Sequence, residues 1–215
     1  MSKTFSADIA FIVDSSSSVS PFQYSRVKQF VGIISEYLNV EPGRSRCAFV
    51  TFGEAPVEVF NFDSYKLLSE YKTKVNEAPY LGSERTISSA LSAAGILFSN
   101  ARGAHPWIAI LVTSWRPDEI HGARSLEILA RPLLSRGVWL YVLSIGENQY
   151  VGGLTPMLVE PRDAFSIISY RDLPGNIGPV GRHIVNDNCK YNFFLSSLSM
   201  IHLLTPLIAS EKFKF

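Results

Sequence analysis

Charge is scarce in this sequence and cysteine nearly absent. Asp, Glu, Lys and Arg make up 18% of the 215 residues, and 20 basic side chains against 19 acidic ones leave a formal charge of +1. A near-neutral chain lacks the broad positive field that grips nucleic acid or an anionic membrane. The 47% apolar and 12% aromatic content supplies one sizeable core, which excludes a disordered chain. Two cysteines exclude a disulfide framework and any cysteine-rich zinc module. No Asn-x-Ser/Thr sequon occurs, so glycosylation gives no hint of compartment. Enzyme signatures are missing too: there is no G-x-S-x-G elbow, no Walker A loop and no G-x-G-x-x-G. The four histidines, His105, His121, His183 and His202, are scattered without an H-x-x-x-H pair and read as surface or hydrogen-bonded residues rather than ligands. The expectation is a protein that is not an enzyme.

The two ends add expectations of their own. MSKTFSADIAF carries one lysine and none of the ~7–15 consecutive apolar residues of a secretory leader. Taken literally this places the chain in the cytoplasm; the alternative is a piece of a longer secreted protein. Residues 193–209, FFLSSLSMIHLLTPLIA, are uncharged, shorter than the ~20 residues of a spanning helix and interrupted by Pro206. An apolar helix docked on the domain, a poorly ordered tail, a membrane stop or processed anchor signal, and a non-native extension all remain open.

Between the ends, short apolar runs alternate with helical patterns. The runs Ala7–Val13, Cys47–Phe52, Trp107–Thr113 and Val138–Ile145 read as strands buried on both faces, with Val57–Phe60 and Ala164–Ser169 as shorter ones. The short Gly53–Pro56 link predicts a hairpin. After Pro21, apolar residues at Val27, Phe30, Val31, Ile34 and Leu38 fall on one helical stripe. Further helices are expected over Tyr65–Val75, Thr86–Ser99 and Ala123–Leu134, where Pro132 should bend or end the last of them. Asp172–Asn186, with two prolines and three glycines, is a poor helix candidate. Alternation of this kind implies an α/β fold: a doubly wound, mostly parallel sheet with one antiparallel edge strand and helices on both faces. The domain spans residues 7–189, with a short extension at 1–6 and the apolar tail at 190–215.

Ligands of such sheets sit beyond the carboxyl ends of the strands. There the first strand runs into Asp14-Ser15-Ser16-Ser17-Ser18, whose Asp14, Ser16 and Ser18 form an oxygen-only set on alternate positions, suited to a hard divalent cation. As residues alone, the same run reads first as a serine-rich turn capping the next helix.

IAFIVDSSSSVSPFQYSRVKQFV resembles the opening of a von Willebrand factor type A domain, in which D-x-S-x-S begins the metal-ion-dependent adhesion site. The resemblance continues in order through RCAFVTFG, YLGSERTISSAL, WIAILVTS, VWLYVLSIG and IVNDNC, and is nearest to matrix members of collagen-associated, matrilin-like or cochlin-like type. It implies Mg2+ or Mn2+ held by Asp14, Ser16, Ser18 and Thr86, with an open position for an acidic residue of a partner. Two departures weaken that site. The family's threonine position, in G-x-T-x-T-x-x-A-L, falls on Arg85, and only a one-residue loop shift restores Thr86. The family's V-T-D-G here reads Val112-Thr113-Ser114-Trp115, so Ser114 stands in place of a carboxylate. A decayed site is expected, with Arg85 available to ion-pair with Asp14.

By the same resemblance the chain is an extracellular adhesion domain. It would bind a protein partner, collagen or another matrix protein, through the loops carrying Arg85, Trp115 and Arg116. An intracellular scaffold domain in a multiprotein assembly is the alternative, and a membrane-anchored receptor fragment would rest only on residues 193–209. Cys47 starts a strand and Cys189 follows the last helix, at the same end of such a fold. A disulfide there would close a loop worth up to about 4–5 kcal/mol on the chain-entropy model; two free thiols are the other reading.

Overall fold

The computed structural model describes residues 5–65, 67–114, 130–146 and 163–187. Its strands are β1 (Asp8–Asp14), β2 (Arg46–Phe52), β3 (Pro56–Phe60), β4 (Trp107–Thr113), β5 (Val138–Ile145) and β6 (Ala164–Ile167). The helices are α1 (Pro21–Tyr37), α2 (Leu68–Glu77) and α3 (Ile87–Leu97), the last followed by a 3-10 turn at Phe98–Asn100. Residues 130–134 are helical (α4), as are residues 173–187 (α5). One sheet has the order β3-β2-β1-β4-β5-β6. Every pairing is parallel except β2 with β3, whose hairpin carries a register shift between Phe49 and Val50.

Alternation along the central strands divides the apolar residues between two cores. Ile9, Phe11 and Val13 of β1 pack with Val27, Phe30, Val31 and Ile34 of α1, Tyr71 and Val75 of α2, and Val180 and Ile184 of α5. Ala10 and Ile12 face the other way, with Ala90, Leu91 and Ala94 of α3 and Ala130 and Leu133 around α4. In register, Ala10 lies beside Ala48 on one side and Ala109 on the other. This row of small side chains makes room for α3, whose buried side combines Ala90 and Ala94 with Ile87, Leu91 and Leu97.

The start of α1 is fixed by chemistry visible in the chain. Ser20 accepts from the Gln23 amide, Gln23 reaches back to the Ser20 amide, and Pro21 occupies the first turn. The second helix begins later than its apolar pattern predicts, at Leu68 rather than Tyr65. Tyr65 instead sets its ring edge-on to Phe60 at 5.3 Å. The predicted 123–134 helix is described only over 130–134, and Pro132 lies within its closing turn.

The weak candidate near the carboxyl end is a continuous helix, α5. Pro174 sits in its first turn, where a missing N–H costs nothing. Gly181 has a positive use: a Cβ built there would lie 2.6 Å from Cδ1 of Tyr37, so the glycine lets α5 press against the end of α1.

Candidate functional site

In the order β3-β2-β1-β4-β5-β6, the crossover leaving β1 leads to one side of the sheet and that leaving β4 to the other. The crevice beyond the carboxyl ends of β1 and β4 is therefore the topological switch point. Asp14 closes β1, Thr113 closes β4 and Ser114 follows it, so these three residues meet there. The Asp14 carboxylate is buried and well supplied with donors. Its Oδ1 accepts from the Ser16 amide at 3.0 Å, while Oδ2 accepts from Thr113 Oγ1 at 2.8 Å and from Arg85 Nη1 at 3.3 Å. The same Arg85 nitrogen donates to Ser114 Oγ at 3.0 Å. The Arg85 side chain is only 8% exposed, and the Asp14 side chain 1%.

The loop carrying Arg85 is fastened at several points. Tyr80 donates its hydroxyl to the Val19 carbonyl, the Gly82 amide donates to the Ser15 carbonyl, and the Ser17 amide donates to the Ser83 carbonyl, all within 2.8 Å. Gly82 adopts φ +62, in the left-handed region that favours glycine. On the hairpin side, Thr86 donates its amide to the Gly53 carbonyl at 2.9 Å and Ser83 Oγ accepts from the Glu54 amide at 3.0 Å. Gly53 has to lack a side chain, because a Cβ would sit 2.2 Å from Ser83 Oγ. Beneath the site, Tyr24 donates to Thr51, Thr51 to Ser15, and Ser15 to the Phe52 carbonyl. This buried chain ties α1 to β1 and β2.

A further member of the site was not expected from sequence. Tyr170, in the turn after β6, hydrogen-bonds Ser114 and lies within the field of Asp14 and Arg85. Burial pushes its phenol up to about 12, the Asp14 charge adds to the rise, and the Ser114 bond and Arg85 oppose it. Its one legible signal is its place just past the end of the last strand, where this topology gathers functional residues.

One observation favours a cation here: Ser16 Oγ is buried beside Asp14 without a hydrogen-bond partner. The remaining chemistry opposes it. Ser18 is exposed, and Thr86 serves as N-cap of α3 without a side-chain capping bond. Asp14 brings one negative charge, already matched by the Arg85 guanidinium. A divalent ion about 4 Å from a guanidinium would be repelled by roughly 8 kcal/mol at an effective dielectric of 20, with no second carboxylate to offset it. This donor set does not fit a resident Mg2+ or Mn2+.

Trp115, Arg116 and Cys189 lie outside the described residues. Cys47 is buried; burial pushes its thiol well up, against hydrogen bonds with Tyr71 and Ser35. It is therefore an inert thiol rather than a nucleophile.

The family model of the von Willebrand factor type A domain matches residues 8–174. Among curated proteins, the chain is 30% identical over 162 residues to human Matrilin-3, covering 72% of this chain and 32% of that protein. It is 28% identical over 148 residues to mouse Matrilin-2 (66% of this chain, 15% of that protein). It is also 24% identical over 159 residues to the human Collagen alpha-6(VI) chain (73% and 7%). The chain thus spans a minor part of each of these relatives. Proximal thread matrix protein 1 from the mussel byssus, solved with a zinc-occupied MIDAS motif, superposes with a TM-score of 0.73 at 23% identity. That match covers 85% of this chain and 46% of the other, and shows a shared fold.

Proposed function

The chain belongs to the von Willebrand factor type A domain family, and from that premise we propose that it is a non-catalytic, extracellular matrix-interaction domain whose strand-end site is closed by an internal ion pair instead of a metal. Named matrix proteins among its relatives support the matrix role. The contact that carries the metal-free reading is Arg85 Nη1 bridging Asp14 and Ser114. An arginine is always charged and cannot be chelated away. Adhesion by this domain is therefore constitutive.

The partner is a matrix protein of collagen type, engaged by the loops around the site. Arg85 is too buried to be the main contact. It holds the floor in shape, while Trp115 and Arg116 supply the aromatic and cationic anchors typical of energetic hot spots.

Solid-phase binding to collagens and to other matrix proteins, in chelator and in Mg2+, tests both parts. The expected result is binding that is equal in the two buffers and weakened at least ~10-fold in Trp115→Ala. Binding abolished by chelator would overturn the metal-free reading; no binding to any matrix protein would overturn the adhesive one.

A further inference from the structure

At the β6 edge of the sheet, three strands away from Asp14, a second group of side chains converges. Asp163 lies in the turn leading into β6, and His183 and Asp187 stand one turn apart on α5. One ligand atom from each lies within 4.8 Å of the other two. His183 Nε2 is 3.4 Å from Asp163 Oδ1 and 3.1 Å from Asp187 Oδ2. Both carboxylates are buried, and the imidazole is partly open to solvent.

These separations are long for charge-assisted hydrogen bonds, which cluster near 2.7–2.9 Å. A single N–H on Nε2 also points in one direction and cannot serve two carboxylates well. A tetrahedral ion with bonds of about 2.0–2.1 Å to nitrogen and oxygen would separate adjacent ligand atoms by about 3.3–3.4 Å, close to the two histidine–carboxylate separations. The imidazole is already oriented. Tyr141 and Phe165 meet its ring edge-to-face, at 6.1 and 5.2 Å between centroids.

We propose that Asp163, His183 and Asp187 form a binding site for a borderline transition-metal ion, with Zn2+ as the fitting occupant. Imidazole with two carboxylates suits Zn2+ better than Mg2+ or Ca2+, which take oxygen ligands. Three protein ligands leave one position, open on the exposed side of His183, for water or a donor from another molecule. The bound ion clips the last described turn of α5 to the start of β6. It is chemically and spatially separate from the Asp14–Arg85 site, so neither proposal depends on the other.

The test is calorimetric titration of the metal-stripped full-length chain with Zn2+, alongside thermal unfolding with and without the ion. The expected result is one Zn2+ per chain at micromolar affinity and a melting temperature raised by roughly 5–10 °C at a hundredfold excess over Kd. Affinity should fall at least ~10-fold in His183→Gln and in Asp187→Asn, and stay unchanged in Asp14→Asn. His183 is partly exposed and in the second half of α5, so His183→Gln should keep the fold, which circular dichroism verifies. Absence of micromolar binding would overturn the proposal. So would binding that survives in folded His183→Gln, or that disappears in Asp14→Asn.

Discussion

Asp14 and Arg85 each answer for the other's burial. Removing one member of a buried pair leaves an uncompensated charge, at a typical cost of about 3–5 kcal/mol. Arg85→Ala is therefore expected to lower stability by an amount of that order, measurable by denaturant unfolding. Adding Ser114→Asp to it rebuilds a two-carboxylate site, so the Arg85→Ala/Ser114→Asp chain should gain a melting-temperature increase on adding Mg2+ that the parent lacks. An absence of Mg2+ response in the folded double variant would mean that Arg85 is not what keeps the cation out. A second residue-scale expectation concerns alkaline pH. Tyr24 and Tyr170 are both pushed up to about 12 by burial. In the unfolded chain these phenols ionise near the ordinary value of 10, so between about pH 10 and 12 the unfolded state has released protons that the folded state keeps. Their contribution to stability is present below pH 10 and lost as pH rises towards 12. Burial pushes the Tyr71 phenol well up too, so ultraviolet titration should show at least three late-ionising tyrosines, with unfolding accelerating across the same window.

Among the elements, the close crossing of α5 on α1 depends on one missing side chain. Gly181→Ala places a methyl 2.6 Å from Cδ1 and 3.0 Å from Cγ of Tyr37, atoms near the root of the ring. Overpacking of this kind costs about 1–3 kcal/mol. Most of it should vanish in a Tyr37→Ala background, which a double-mutant cycle reads directly. The same helix shows why some elements were legible in the sequence and others less so. Trp107–Thr113 and Val138–Ile145 are read to the residue, because strands buried on both faces are uninterrupted apolar runs. The α5 segment carries Pro174, Pro179 and three glycines, and local propensity opposes a helix; tertiary packing against α1 outweighs it. Likewise Arg85 and Ser114 stand out as departures from a resembled motif, whereas Tyr170 carries no motif and reaches the site only through topology. His183 and Asp187 are four apart on a segment that reads as a poor helix, and Asp163 is distant in sequence, so their convergence was hidden.

At the scale of the whole domain, the two ends of the sheet are both electrostatically closed, in different ways. At the amino ends of the strands, fully buried Asp8 is bracketed by Arg46 and Arg102. Burial pushes its carboxyl up, but the hydrogen bonds from both arginines outweigh this and hold it below the ordinary range. A depressed carboxyl adds stability that is present above its unfolded value near 3.9 and is lost as pH falls through the folded value. Acid unfolding should therefore steepen below pH ~4 and be blunted in Asp8→Asn, which is less stable at neutral pH. At the carboxyl ends, the closure is the Asp14–Arg85 pair. The most direct measurement is calorimetric titration of the chelator-stripped chain with Mg2+ and Mn2+ into the millimolar range. The expected result is no saturable binding of either ion. Saturable binding that disappears in Asp14→Ala would contradict it and place a working cation in this site despite Arg85 and Ser114.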